Sequence, residues 1–179
     1  MKVVIAGVFV LISVVILAFG GLFTLGTPNA GVDDFLRFHI RANSNTASDQ
    51  EVKYLIKQEI LNQFTPIFSG VTSREMAMTT LGGNISRLER IANNVLHANG
   101  KSYTARAFLR SEYFPMRTYH GFTLPAGNYD ALIIELGLAR GENWWCVVYP
   151  PLCFLDNNIG GERGVVYRSR LHEIIRRFQ

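Results

Sequence analysis

Histidine and cysteine are scarce in this chain, four and two among 179 residues, and that removes most of the chemistry a small protein can carry. A metal site needs several imidazole, thiolate or carboxylate ligands that converge. His39, His97, His120 and His172 fall in four separate segments, with no H-x-x-x-H or HExxH spacing, and the Cys146/Cys153 separation matches no usual zinc pair. GxSxG, P-loop and Rossmann patterns are missing. Asp130 and Glu135 share one expected strand but face opposite sides, so they form no glycosidase pair. No catalytic, metal or cofactor site is therefore expected. The one enzymatic alternative is a thiol nucleophile at Cys153, which follows two prolines in an expected turn, whereas Cys146 sits mid-strand among apolar neighbours. Charge is also thin, at 18% of residues with a net +4. Five arginines against two glutamates in 162–179 place +3 of it in the tail and leave the body near neutral. That distribution excludes a nucleic-acid footprint, which needs a basic face on the domain itself.

What the chain has in abundance is apolar sequence. Residues 3–26 run for 24 positions without a charged side chain, and about 20 such residues span a bilayer as a helix. Lys2 and the terminal amine precede the run and Asp33 and Asp34 follow it, so the positive-inside bias places the body outside the cytoplasm. The segment 1–26 reads as a signal peptide or a transmembrane anchor; Ala18-Phe19-Gly20 offers small residues for cleavage, and the sequence leaves cleavage open.

Residues 27–34 read as a linker, 35–160 as a single α+β domain and 161–179 as a basic amphipathic tail. In "FLRFHIRA", 35–42, Leu36, Phe38 and Ile40 alternate with Arg37, His39 and Arg41, the spacing of a strand with one wet face. "NSNTAS" follows as a loop. Ser48 with Glu51, and Thr72 with Glu75, have capping-box spacing, so helices are expected after each, the first ending at Pro66. A third helix carries Ile85, Leu88, Ile91, Val95 and Leu96 and ends at Asn99-Gly100. From Tyr103 the period changes to two. "YTARAFLRSEYF" reads as a strand, "MRTYHGFTL" as a weaker one, and "YDALIIELG" and "NWWCVVY" as an antiparallel hairpin. One strand, then helices, then several strands predicts α+β, with a mainly antiparallel sheet packed against two or three helices after the N-terminal apolar export or anchor helix. In the tail, Tyr167, Leu171, Ile174, Ile175 and Phe178 form a stripe beside arginines. The helix they predict either docks on its own domain or lies on an anionic lipid surface.

The stretch "NWWCVVYPPLCF", 143–154, stands apart in composition. Adjacent strand residues point to opposite faces, so Trp144 and Trp145 cannot both enter a one-sided core. At least one faces a second layer, a partner or solvent, and tryptophan serves protein interfaces and sugar stacking alike. Pro150-Pro151 must stop the strand or lie on an edge. A turn there brings Cys153 back toward Cys146, which leaves two states open: a disulfide, favoured by an oxidising exoplasm, and two free thiols.

Three blocks carry a family likeness: "LRFHIRANSNTASDQEVK" at 36–53, "LPAGNYDALIIELGLARGENWWCV" at 124–147 and "YPPLCFLD" at 149–156. Over them the sequence resembles the stage II sporulation protein R family of endospore-forming bacteria. The resemblance implies a protein made in the forespore and exported into the space between the two sporulation membranes. There it triggers the membrane-embedded aspartic peptidase that processes pro-sigma-E, acting as a signal and not as the protease. The expected partner contacts are Asn43, Ser44 and Asp49 in the first loop and a ridge of Trp144, Trp145 and Tyr149. The alternatives are an exoplasmic module that binds cell-wall glycan through the tryptophans, and the thiol-dependent enzyme.

Overall fold

The computed structural model describes residues 32–119 and 122–154. The apolar segment 1–26, most of the linker, His120 and the tail 161–179 lie outside the described residues. A 3-10 turn, Val32–Asp34, leads into β1 (Leu36–Arg41). Three helices follow, α1 (Ala47–Phe68), α2 (Arg74–Gly82) and α3 (Ile85–Ala98). Then come β2 (Ala105–Phe114), the short β3 (Arg117–Tyr119) and β4 (Phe122–Leu124), β5 (Gly127–Leu136), β6 (Asn143–Tyr149) and a 3-10 turn, Leu152–Phe154. The fold is α+β. Its four-stranded sheet has the order β2-β5-β1-β6, and β3 and β4 pair separately with each other.

The expected β5–β6 hairpin does not form. β1 lies between them, parallel to β5 with Phe38 opposite Leu132 and antiparallel to β6 with Phe38 opposite Cys146, while β2 and β5 are antiparallel over their whole length. The sheet is therefore mixed, with antiparallel pairs dominating. The β5–β6 connection can step over β1 because the loop after β1 holds it: Gly141 N–H donates to the Ala42 carbonyl (2.8 Å) and Arg140 N–H to the Asn43 carbonyl (3.2 Å). Gly141 is required at this crossing, since a Cβ there would overlap the Ser44 carbonyl.

All three helices contribute to a core under one face of the sheet. In α1 the buried Val52, Ile56, Ile60, Phe64 and Phe68 recur every four residues, one stripe that meets Leu36, Phe38 and Ile40 of β1 in a common cluster. Each such side chain contributes about 1.5–3 kcal/mol of burial. The N-cap is Thr46, two residues before the expected Ser48, and its hydroxyl accepts from Asp49 N–H. Pro66 does not end the helix. It sits inside the last turn, where Thr65 Oγ donates to the Leu61 carbonyl (2.6 Å) and Phe68 is held against Phe154, ring centroids 4.5 Å apart. The α2 cap is likewise one residue later than expected, Ser73 accepting from Met76 N–H.

The other face of β1 is not wet. Arg37 and His39 are both 0% exposed, because a second cluster of Phe35, Phe114, Leu124, Tyr129, Ile133 and Val147 closes over that side, with Tyr119 and Trp145 packed against it. Alternation of polar and apolar residues gave β1 a solvent face in the sequence. The aromatic residues that bury it come from 114 to 145 and could not be assigned to it by local spacing.

Candidate functional site

Three groups of polar or reactive residues stand out. The first is a knot where β1 passes into α1. Asp49 is buried, and its carboxylate accepts from Asn43 Nδ2 (2.7 Å), Ser44 Oγ (2.6 Å), Lys101 Nζ (2.7 Å) and Tyr103 OH (2.7 Å). Burial alone would push this carboxyl up. The hydrogen bonds from Lys101, Ser44, Tyr103 and Asn43 outweigh it and hold the group well below the ordinary carboxylate range. Burial and the neighbouring Asp49 in turn push the Tyr103 hydroxyl up. The same loop stitches the β5–β6 connection: Asn43 Oδ1 accepts from Leu138 N–H (2.9 Å) and Asn45 Oδ1 from Glu142 N–H (2.6 Å). Lys53, 1% exposed, donates from Nζ to the Glu142 carbonyl (3.0 Å) and to Gln50 Oε1 (2.6 Å). Of the three residues expected to make contacts here, Asn43 and Ser44 are half-buried and Asp49 is fully engaged inside the molecule. Beside the knot an open recess of about 450 Å³ is lined in part by Tyr103, Arg106, Glu135 and Leu138.

The second group is β6. Trp144 and Trp145 are half-buried on opposite faces. Trp144 lies edge-on to Phe38 at 5.2 Å, with Lys57 Nζ 5.6 Å from its ring. Trp145 stacks on His39 at 3.8 Å and meets Phe114 at 4.9 Å. They therefore form no common ridge. Tyr149 OH donates to the Thr72 carbonyl (3.1 Å). Cys146 and Cys153 are joined as a disulfide, their Cα atoms 5.8 Å apart, and both are buried. It ties the Leu152–Phe154 turn to the strand.

β6 is also an edge. Among the described residues it pairs with β1 alone. The opposite edge, β2, is covered at its start: Glu89 Oε1 of α3 accepts from Ala107 N–H (2.9 Å), and Asn93 accepts from Ala105 N–H (2.8 Å) and donates to its carbonyl (3.2 Å). Side chains of α3 thus take up edge groups of Ala105 and Ala107 at the start of β2, whereas among the described residues no strand lies beside the outer edge of β6.

The third group was missed by the sequence reading as a site, although its R-x-H-x-R alternation is visible there. On β1, Arg37, His39 and Arg41 line the second face. Arg41 forms ion pairs with Glu112 and with Glu135 Oε1 (3.0 Å), and Arg110 joins both acids at 3.3 and 2.9 Å. His39 has no hydrogen-bond partner on either ring nitrogen. Burial first, and then the charge of Arg41, lowers its pKa to about 4, so the ring is neutral at pH 7. Arg37 lies within a box of Phe114, Tyr129 and Tyr119, its Cζ 4.5, 4.9 and 5.4 Å from the three ring centroids. Among the described residues no set of three or more His, Cys, Asp or Glu side chains is arranged to hold a metal.

The family model for stage II sporulation protein R matches residues 32–159. Stage II sporulation protein R of Bacillus subtilis (strain 168) is 34% identical over 128 residues, which cover 72% of this chain and 57% of that protein. The chain thus spans little more than half the length of this curated relative. No solved structure matches.

Proposed function

The chain belongs to the stage II sporulation protein R family, and from that premise we propose that it is an exported sporulation signal which activates, by binding, the membrane-embedded aspartic peptidase that processes pro-sigma-E. In this reading segment 1–26 carries the body across or anchors it in the cytoplasmic membrane, and the body works in the space between the forespore and mother-cell membranes. The family match carries the proposal. The reading is supported by the engagement of two candidate reactive groups in internal structure: Asp49 accepts from four donors, and Cys146 and Cys153 are bonded to each other.

The contact we assign to the peptidase is the outer edge of β6, which among the described residues pairs with β1 alone. An extended segment added beside Trp144–Val148 gains main-chain hydrogen bonds and touches Trp144 on one face and Trp145 on the other. That arrangement uses both tryptophans, whereas a flat glycan platform would need them on one side. Asn43 and Ser44 flank the start of this strand through the loop that holds Arg140 and Gly141. An activator must bind the active state more tightly than the inactive one, and moving an equilibrium from 1:99 to 99:1 takes about 5.5 kcal/mol of difference. Such a difference is within reach of strand addition with aromatic anchors.

The experiment is co-expression of the full chain with the peptidase and pro-sigma-E in a non-sporulating host. Cleavage is expected only when all three are present. Uncleaved pro-sigma-E alongside a folded, exported chain refutes the reading.

A further inference from the structure

Arg37 is a buried guanidinium with no counter-charge among the described residues, and this points beyond the role proposed above. The side chain is 0% exposed. Its Nη2 donates to Tyr119 OH (2.8 Å), while Nε and Nη1 have no hydrogen-bond partner. It takes part in none of the ion pairs formed among the described residues. The nearby acid Glu112 is already claimed by Arg41 and Arg110. A second cation, the exposed Arg117, lies 5.5 Å from the Trp145 ring. Aromatic faces attract a guanidinium, but they accept none of its in-plane N–H groups. A buried charge is ordinarily both paired and hydrogen-bonded, so the box around Arg37 holds a cation whose Nε and Nη1 lack acceptors.

What closes the box is one half-buried side chain at the end of a short ribbon. Tyr119 stands on β3, and β3 with β4 forms a two-stranded ladder of three residue pairs that shares no strand pairing with the main sheet. Leu124 of β4, 1% exposed in the second cluster, anchors the Arg117 end of this ribbon, and Tyr119 stands at its other end. Lifting Tyr119 breaks one side-chain hydrogen bond to Arg37 and leaves the β2-β5-β1-β6 ladder intact.

We infer that Arg37 is the receptor of a carboxylate-binding site beneath β3 and β4, in which the incoming carboxylate takes up the unpaired guanidinium N–H groups and the Tyr119 hydroxyl gives way to it. A carboxylate matches the planar donor array and supplies the missing negative charge, with Phe114 and Tyr129 as walls. The acid has two sources, a small free carboxylate or a glutamate or aspartate side chain of an extended segment, and the chemistry at Arg37 is the same. The inference does not depend on which protein the chain activates.

The test is a titration of the full chain, followed through the ¹⁵N–¹H signal of Arg37 Nε and through the melting temperature, at fixed ionic strength set with sodium chloride. The probes are acetate, an acetylated and amidated tetraglutamate peptide, and its tetraglutamine analogue. A saturable shift of the Arg37 Nε signal with acetate and the glutamate peptide at similar carboxylate concentrations assigns a small-acid site. Saturation by the glutamate peptide at least about tenfold below acetate assigns a peptide site. In both cases the glutamine peptide is silent, the melting temperature rises with the active probe, and Arg37→Lys weakens binding by about tenfold or more because it lacks the planar fork. No saturable shift with either carboxylate in the unmodified chain, or an equal response to the glutamine peptide, overturns the inference whether or not the variant folds.

Discussion

Acidification should destabilise this protein through His39 before its carboxylates titrate. The ring is enclosed by Trp145 and Phe114. The cations Arg37, Arg41 and Arg110 are near it, and Glu112 Oε1, which also serves Arg41, is 3.8 Å from Nδ1. The folded pKa is about 4 against an ordinary 6.5. Between those values the unfolded chain binds a proton that the folded one does not, so stability falls as pH falls. The contribution is fully present above pH 6.5 and is lost progressively toward pH 4. Two and a half pH units correspond to about 3 kcal/mol at the limit, and about 2.5 kcal/mol is expected between pH 7.5 and 4.5. Urea unfolding at half-unit steps over that range reads it directly. His39→Phe keeps the stack on Trp145 and removes two ring nitrogens that have no partner. The variant should match or exceed the parent at pH 7.5 and lack the slope between pH 6.5 and 5, where carboxylates contribute little. A parent curve that is flat from pH 6.5 to 4.5, or an identical slope in His39→Phe, would refute the reasoning.

Asp49→Ala leaves Lys101, Tyr103 and Asn43 without their common acceptor, and chemical denaturation at pH 7 should show a loss of about 3–5 kcal/mol; a loss under 1 kcal/mol would mean the knot is not structural. Gly141→Ala forces the β5–β6 connection away from the Ser44 carbonyl, at about 1–3 kcal/mol of overpacking, and the amide protons of Arg140 and Gly141 should exchange faster; unchanged exchange contradicts the stitching role given to that loop. Reducing the Cys146–Cys153 bond, or replacing both residues with serine, should lower stability by about 2–3 kcal/mol for so short a closed loop. Alkylation of the unreduced protein should leave both sulfurs unlabelled, and full labelling would show that the bond does not form.

The parts of the fold that depend on local order were legible in the sequence. The stripe from Val52 to Phe68 and the Asn99-Gly100 end of α3 follow from side-chain period and a residue that tolerates positive φ; Gly100 has φ +68°. The caps at Thr46 and Ser73 were each misplaced by one or two residues, since Ser48 and Thr72 offer equally good hydroxyls and only tertiary contacts choose between them. Asp49 selected the first, drawn inward by Lys101 and Tyr103. Strand order was not legible: β5 and β6 are close in sequence, and nothing local says that β1 inserts between them. The candidate site divided the same way. Trp144 and Trp145 were correctly expected on opposite faces. Arg37 and His39 had the spacing of a solvent-facing row, and their burial depends on Phe114, Tyr119, Tyr129 and Trp145, whose sequence distance from β1 hides the contact.

The central claim is that this protein acts by binding the peptidase and not by turning over a substrate. Its most direct test is a dose titration of the purified full chain onto the peptidase in liposomes, with pro-sigma-E on the opposite side, reading initial cleavage rate against the molar ratio of chain to peptidase. The account predicts a rate that rises with added chain and saturates at a fixed ratio that scales with the amount of peptidase. Full cleavage rate at trace amounts of chain, or no response at any ratio, would contradict it.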